Sequence, residues 1–203
     1  MPALDTFLPL VRGPLPGCPE AVLKDALRDA CIEFCQRTRL LVQDVAVDVV
    51  AGERLVTLYP DSDSFWEVTQ VRRDSTPLSP INRRECELNG WDTTSGVPLY
   101  YYLEGDRQLA LGPVPDAAET LTATVTLRPK STATRVADIL WDDYREPIAA
   151  GARAWVRRHY GDWANPQLES YDRTLFERAI HNTQIRQARG GVGTALRVRA
   201  HPF

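Results

Sequence analysis

Four cysteines, three histidines and one pair of adjacent aspartates are the residues of this 203-residue chain best suited to chemistry. Cys18, Cys31, Cys35 and Cys86 show no CxxC spacing, so neither a disulfide framework nor a zinc site is indicated. Cys31 and Cys35 stand four apart, which puts two potential metal ligands on one helix face; two small residues on a buried face fit the same spacing. His159, His181 and His201 lack any HExxH-like spacing and read as polar-face residues rather than ligands or a general base. Asp142-Asp143 is a carboxylate pair, but capping of a following helix accounts for both. No GxSxG, Walker loop or GxGxxG occurs. Gly190-Gly191-Val192-Gly193 follows a helical pattern and precedes no strand–helix unit, so it reads as a hinge rather than a phosphate loop. Tyr100, Tyr101 and Tyr102 offer a stacking platform for bases, although alternate burial in a sheet is the commoner use of such a run. The expectation is no catalytic residue, no metal ligand and no cofactor.

The elements that carry these groups change period twice. Residues 19–41 read as a helix, with Pro19 at its first position, Glu20 complementing the dipole, and Leu23, Leu27, Ala30, Cys31 and Phe34 on one stripe. From Val45 the period becomes two. VAVDVV and RLVTLY flank Ala51-Gly52-Glu53 and predict a hairpin. FWEVTQVRR is a strand, and Pro77 and Pro80 bracket a short edge segment. Asn82 to Gly90 predicts a short capped helix. LYYYLEG and RQLALGP form a strand pair turned at Gly105-Asp106, and LTATVTLRP is the last strand. Helical spacing then returns over 142–160, capped by Asp142 and Asp143, and over 166–189, capped by Asn165. Leu168, Tyr171, Leu175 and Ala179 mark the expected buried stripe of the latter. Gly151 lies in a run of small residues. It costs about 1 kcal/mol against Ala in a helix interior, which points to close packing against another helix.

The expected fold class is α+β, with N- and C-terminal helices forming a bundle and a central, mostly antiparallel β lobe. The expected organisation is an extended arm at 1–18, a bundle from 19–41 and 142–189, a β lobe at 42–141 and a C-terminal tail at 190–203. In that tail Leu196, Val198 and Phe203 are apolar anchors, alternating with Arg197 and Arg199. Such a segment suits a sheet edge or a groove.

Composition narrows the classes further. A hydrophobic content of 43% supports a core, and no apolar run approaches the span of a membrane. The start, MPALDTFLPLVRG, has an acid where a signal peptide wants basic residues, so export is not expected and a reducing cytoplasm fits the cysteines. The net charge of −3 divides unevenly: residues 1–140 carry 14 Lys+Arg and 20 Asp+Glu, residues 141–203 carry 10 and 7. Arginine supplies 22 of the 24 basic residues, a bias that suits bidentate contacts at protein interfaces. An acidic chain without a basic–aromatic motif argues against free-standing nucleic-acid binding.

Three segments, in this order and spacing, resemble the head–tail adaptors of tailed bacteriophages: EAVLKDALRDACIEFCQRTRL, GVPLYYYLEGDRQLALGPVPDAAETLTATVTLRP and YREPIAAGARAWVRRHYGDWANPQLESYDRTLFERAI. The resemblance implies a connector subunit of the virion neck, in a ring of about twelve copies beneath the portal. It implies no catalysis and a channel that passes genomic DNA without sequence specificity. The implied partners are the portal protein, neighbouring copies and downstream tail or nozzle proteins, with no membrane; before assembly the subunit would lie in the host cytoplasm. The implied contact set for portal or neighbours is Arg189, Leu196, Arg197, Val198, Arg199 and Phe203. The competing readings are another neck component, such as a head-completion or tail-terminator protein, and a cytoplasmic enzyme with an unrecognised site.

Overall fold

The computed structural model describes residues 1–60, 65–105 and 107–190. In chain order, a 3-10 turn at Leu4–Phe7 leads into α1 (Leu8–Arg12) and α2 (Glu20–Thr38). Strands β1 (Leu41–Val49), β2 (Leu55–Thr57), β3 (Phe65–Arg73), β4 (Thr76–Pro77) and β5 (Ser79–Pro80) precede α3 (Arg83–Leu88). Strands β6 (Ser95–Gly96), β7 (Tyr100–Leu103), β8 (Gln108–Gly112), β9 (Val114–Pro115) and β10 (Glu119–Leu127) follow. The chain closes with α4 (Asp138–Asp142), α5 (Arg145–His159), a 3-10 turn at Gly161–Trp163 and α6 (Pro166–Ala188). The fold class is α+β, as the change of period predicts. Two compact units result: residues 1–40 with the chain from 129 onward, and residues 41–128.

The helical unit is built on α2, α5 and α6. The α2 stripe of Leu23, Leu27, Ala30, Cys31 and Phe34 is fully buried. Pro19 stands at the N-cap, and the helix stops at Thr38 because Arg39 turns left-handed (φ 52°). Phe34 packs against Tyr144 at 4.8 Å between ring centroids and Phe176 at 6.0 Å. Burial of each such side chain contributes about 1.5–3 kcal/mol.

Three expectations are corrected in this unit. Residues 1–18 are not an extended arm: Leu4, Phe7, Val11 and Leu15 recur at helical spacing and are buried, with the Phe7 ring edge-on to Trp141 at 4.9 Å. Pro9 sits in the first turn of α1, where its missing N–H costs nothing. The segment 129–141 belongs here and not with the strands. The Leu4 N–H donates to the Thr134 carbonyl at 3.0 Å, the Val136 N–H donates to that of Pro2 at 3.1 Å, and Val136 and Leu140 are buried. Asp142 and Asp143 are not caps. Asp142 ends α4, Asp143 follows it, and α5 begins after Tyr144 with no side-chain cap.

Helices α5 and α6 cross closely. A Cβ built on Gly151 would lie 2.8 Å from Phe176 Cδ2 and 2.9 Å from Cε2, inside contact distance of a ring that is itself fully buried. Gly151→Leu should therefore lower stability by about 1–3 kcal/mol through overpacking. Thermal melting checks this, and an unchanged midpoint would sink it.

The strand unit is a sandwich of two four-stranded sheets, ordered β1-β10-β3-β4 and β2-β8-β7-β5, with a small β6-β9 pair beside them. Here the expected 45–59 hairpin is corrected. β1 pairs with β10 over its full length, Leu41↔Leu127 to Val49↔Glu119, while β2 pairs with β8 in the second sheet. The turn at Gly52 (φ 82°) thus carries the chain between sheets. Nine alternating residues on β1 find nine on β10, a longer ladder than three-residue β2 offers. Val45, Val47, Val68, Val71, Leu121, Ala123 and Val125 of the first sheet meet Leu58, Tyr101, Leu109 and Leu111 in one core. Asn82 caps α3 by accepting from the Glu85 N–H at 2.8 Å, and α3 lays Cys86 on Tyr102 and Ala110.

Candidate assembly interface

The groups with chemical potential are mostly taken up by packing. All four cysteines are reduced and buried. Burial pushes the Cys35 thiol up to about 12 and the Cys31 thiol, which also faces Cys35, higher still. Neither is a ready thiolate at neutral pH. No group of three His, Cys, Asp or Glu side chains converges among the described residues. The His159 ring stacks on Trp155 at 4.6 Å, with Nδ1 2.8 Å from the Trp155 carbonyl oxygen. His181 is exposed on α6, and His201 lies outside the described residues. The three tyrosines do not make a platform. Tyr100 stacks on Trp91 at 4.0 Å, and Tyr101 and Tyr102 are both buried, on opposite faces of their sheet.

Helix α6 is the element on which sequence spacing and structure part most usefully. Asn165 caps it, accepting from the Leu168 N–H at 3.1 Å. Its inward residues are Asp172, Phe176, Ile180 and Thr183. The apolar stripe expected to be buried lies about a quarter-turn away: Leu168 is 47% and Tyr171 62% exposed, while Leu175 and Ala179 are half-buried. The cause is Asp172. By charge it reads as a surface residue, yet only 3% of it is exposed, because two arginines of α5 neutralise it. Arg153 Nη2 donates to Asp172 Oδ1 at 2.8 Å, and Arg157 Nη1 donates to Oδ2. A further Arg153 N–H reaches the Leu10 carbonyl at 3.0 Å. Burial lowers both guanidinium pKa values from their ordinary range, and in Arg157 the neighbouring Arg153 adds to it.

A second ionic set joins the other flank of α6 to α2. Arg37 binds Glu177 at 2.7 Å and Glu33 at 2.9 Å, and Arg173 binds Glu33 at 3.1 Å and Glu177 at 2.7 Å. The bonded Arg37 holds the Glu177 carboxyl below the usual carboxylate range. A small open hollow of about 50 Å³ lies beside this set, lined among others by Asp29, Glu33, Trp155, Arg158, Glu169 and Arg173. Its acids and bases are interleaved, Glu33 with Arg173 for example, and no group of one sign converges on its centre.

At the end of α6, Arg189 is exposed and Gly190 turns left-handed (φ 63°). Leu196, Arg197, Val198, Arg199 and Phe203 lie outside the described residues. No helix among those described is long and apolar enough to cross a membrane.

The described cysteines are thus buried, and the longest described helix shows a partly uncovered apolar stripe. The family model described as SU10 adaptor protein matches residues 5–199. The chain belongs to this family of phage head–tail adaptors, and it is accordingly a structural component of the virion that contacts other head or tail proteins. No curated protein matches the chain.

Proposed function

We propose that this protein is the subunit of a ring, of about twelve copies, that sits beneath the portal, receives the tail or nozzle proteins below and lets genomic DNA pass. The observation that carries the reading is the family match across nearly the whole chain. The mild net negative charge of −3 supports passage without gripping, since attraction to phosphates would retard transit. The subunit performs no catalytic step and holds no metal or cofactor. It passes through the host cytoplasm before joining the neck.

Attachment to the portal or to neighbouring copies is assigned to the segment 190–203. Gly190 ends α6 in a left-handed turn, and Gly191 and Gly193 follow. Arg189, Arg197 and Arg199 bring charge, while Leu196, Val198 and Phe203 bring apolar anchors. The contact gains its strength from multivalency in the ring. Deleting 190–203 should leave melting unchanged but abolish co-sedimentation with purified portal protein. Full occupancy of the portal by the truncated chain would reject the assignment.

A further inference from the structure

The displaced stripe of α6 points to an interface that the family assignment does not locate. Leu168, Tyr171, Leu175 and Arg178 follow one another at alternating steps of three and four, and the same seam continues through Arg186 and Arg189. That spacing keeps a line of side chains on one face of a helix. The line is apolar at its start and cationic at its end, and no acid stands on it. Arg178, Arg186 and Arg189 are exposed, and none makes an ion pair among the described residues. In the same unit Arg37, Arg153, Arg157 and Arg173 sit on carboxylates, while the exposed Arg158 makes no ion pair among the described residues.

An acidic counterpart exists on the same unit. Asp142, Asp143 and Glu146 are exposed where α4 meets α5, and none is in a salt bridge. The neighbouring Arg145 is turned onto the Trp141 ring, 5.6 Å from its centre. The two patches share a level. Gly151 lies against Phe176 and Arg153 against Asp172, so α5 and α6 run antiparallel. The start of α5 is therefore level with the stretch of α6 near Arg178 and Asn182. A common level is what a closed head-to-tail ring needs, since rotation about an axis parallel to the helices adds no vertical offset.

We infer that the Leu168–Tyr171–Leu175–Arg178 face of α6 docks against a second copy of this chain, with its arginines meeting the Asp142–Asp143–Glu146 corner of that copy. The inference rests on the ring reading only in requiring a neighbouring copy. A single helix face is smaller than a standard stable interface, so one contact is weak and closure of the ring adds strength.

The test is sedimentation velocity of the full chain over a concentration series, at low and high salt. Wild type should associate with rising concentration, less so at high salt. Tyr171→Ser should weaken association about tenfold, the scale of a central aromatic contact. Arg178→Glu with Arg186→Glu in one chain, and Asp142→Lys with Asp143→Lys in another, should each abolish self-association. An equimolar mixture of the two should restore it, because each reversed patch then meets its opposite. All substituted positions are exposed, so unchanged melting certifies the fold of each variant. A wild type that stays monomeric throughout, reversals without effect, or a mixture that fails to recover would each overturn the inference. Co-sedimentation with portal protein separates this from failure of the proposed function. Wild type that never binds portal defeats that function, whereas wild type that binds it, with charge reversal making no difference, defeats only this contact.

Discussion

Asp172→Ala should cost about 3–5 kcal/mol of folding stability, because it leaves two buried arginines facing each other without a counter-charge. Arg153 and Arg157 side chains are 12% and 5% exposed, and both converge on one carboxylate. Arg157 is enclosed and Arg153 only slightly open to solvent, so neither charge is well hydrated without the carboxylate. A typical domain holds roughly 5–15 kcal/mol in all, so this single change removes a large share. Asp172→Asn should lose most of the same energy, since it keeps the shape but not the charge. Replacing Arg153, Arg157 and Asp172 together by Leu or Met should recover much of the loss, because a buried ion cluster rarely outperforms well-packed apolar groups. Urea midpoints measure all three. A loss below about 1 kcal/mol for Asp172→Ala would mean that the cluster is solvated in solution.

Phe176→Ala is the second large effect, about 3–5 kcal/mol, from a fully buried ring whose removal leaves a cavity. Its ring fills the notch over Gly151, lies 6.0 Å from Phe34 and sits under the Arg173 guanidinium at 5.8 Å. The two positions are coupled in sign. With the ring present, Gly151→Ala drives a methyl into it and destabilises. With the ring gone, the same change gains helix propensity of about 1 kcal/mol and part-fills the void, so it stabilises. A double-mutant cycle reads this directly. Equal effects of Gly151→Ala in both backgrounds would show that the crossing is looser than the structure has it.

Local rules read correctly where the deciding neighbours are close in sequence. The α2 stripe, the caps at Asn82 and Asn165, and alternation along β10 all depend on residues within one turn or one strand. The failures share a different cause. Which strand β1 joins depends on a partner some eighty residues away, and a tight Gly turn beside it suggested the wrong one. Residues 1–18 looked irregular because prolines and glycines punctuate them, yet Leu4, Phe7, Val11 and Leu15 keep a helical period through that punctuation. On α6 the spacing reads Leu168, Tyr171, Leu175 and Ala179 as the inward stripe, whereas the burial of Asp172 turns that stripe about a quarter-turn outward. The signal was present: Arg153 and Arg157 are one turn apart on the preceding helix, a spacing able to receive a single carboxylate. For the candidate interface, Arg189 and the α6 face were visible as residue types, but exposure of that face emerges only once α5 has chosen its side.

The pairing of β1 with β10 has a consequence for how the chain can change over time. Leu41 and Leu127, the points where the chain enters and leaves the strand unit, are cross-strand partners. Partners in an antiparallel ladder stand about 5 Å apart, so the stretch 41–128 begins and ends at neighbouring points of one ladder. Closing so narrow a gap needs only a short turn. A stretch whose two ends are ladder partners can change in length at its inner turns while β1 and β10 keep those ends together.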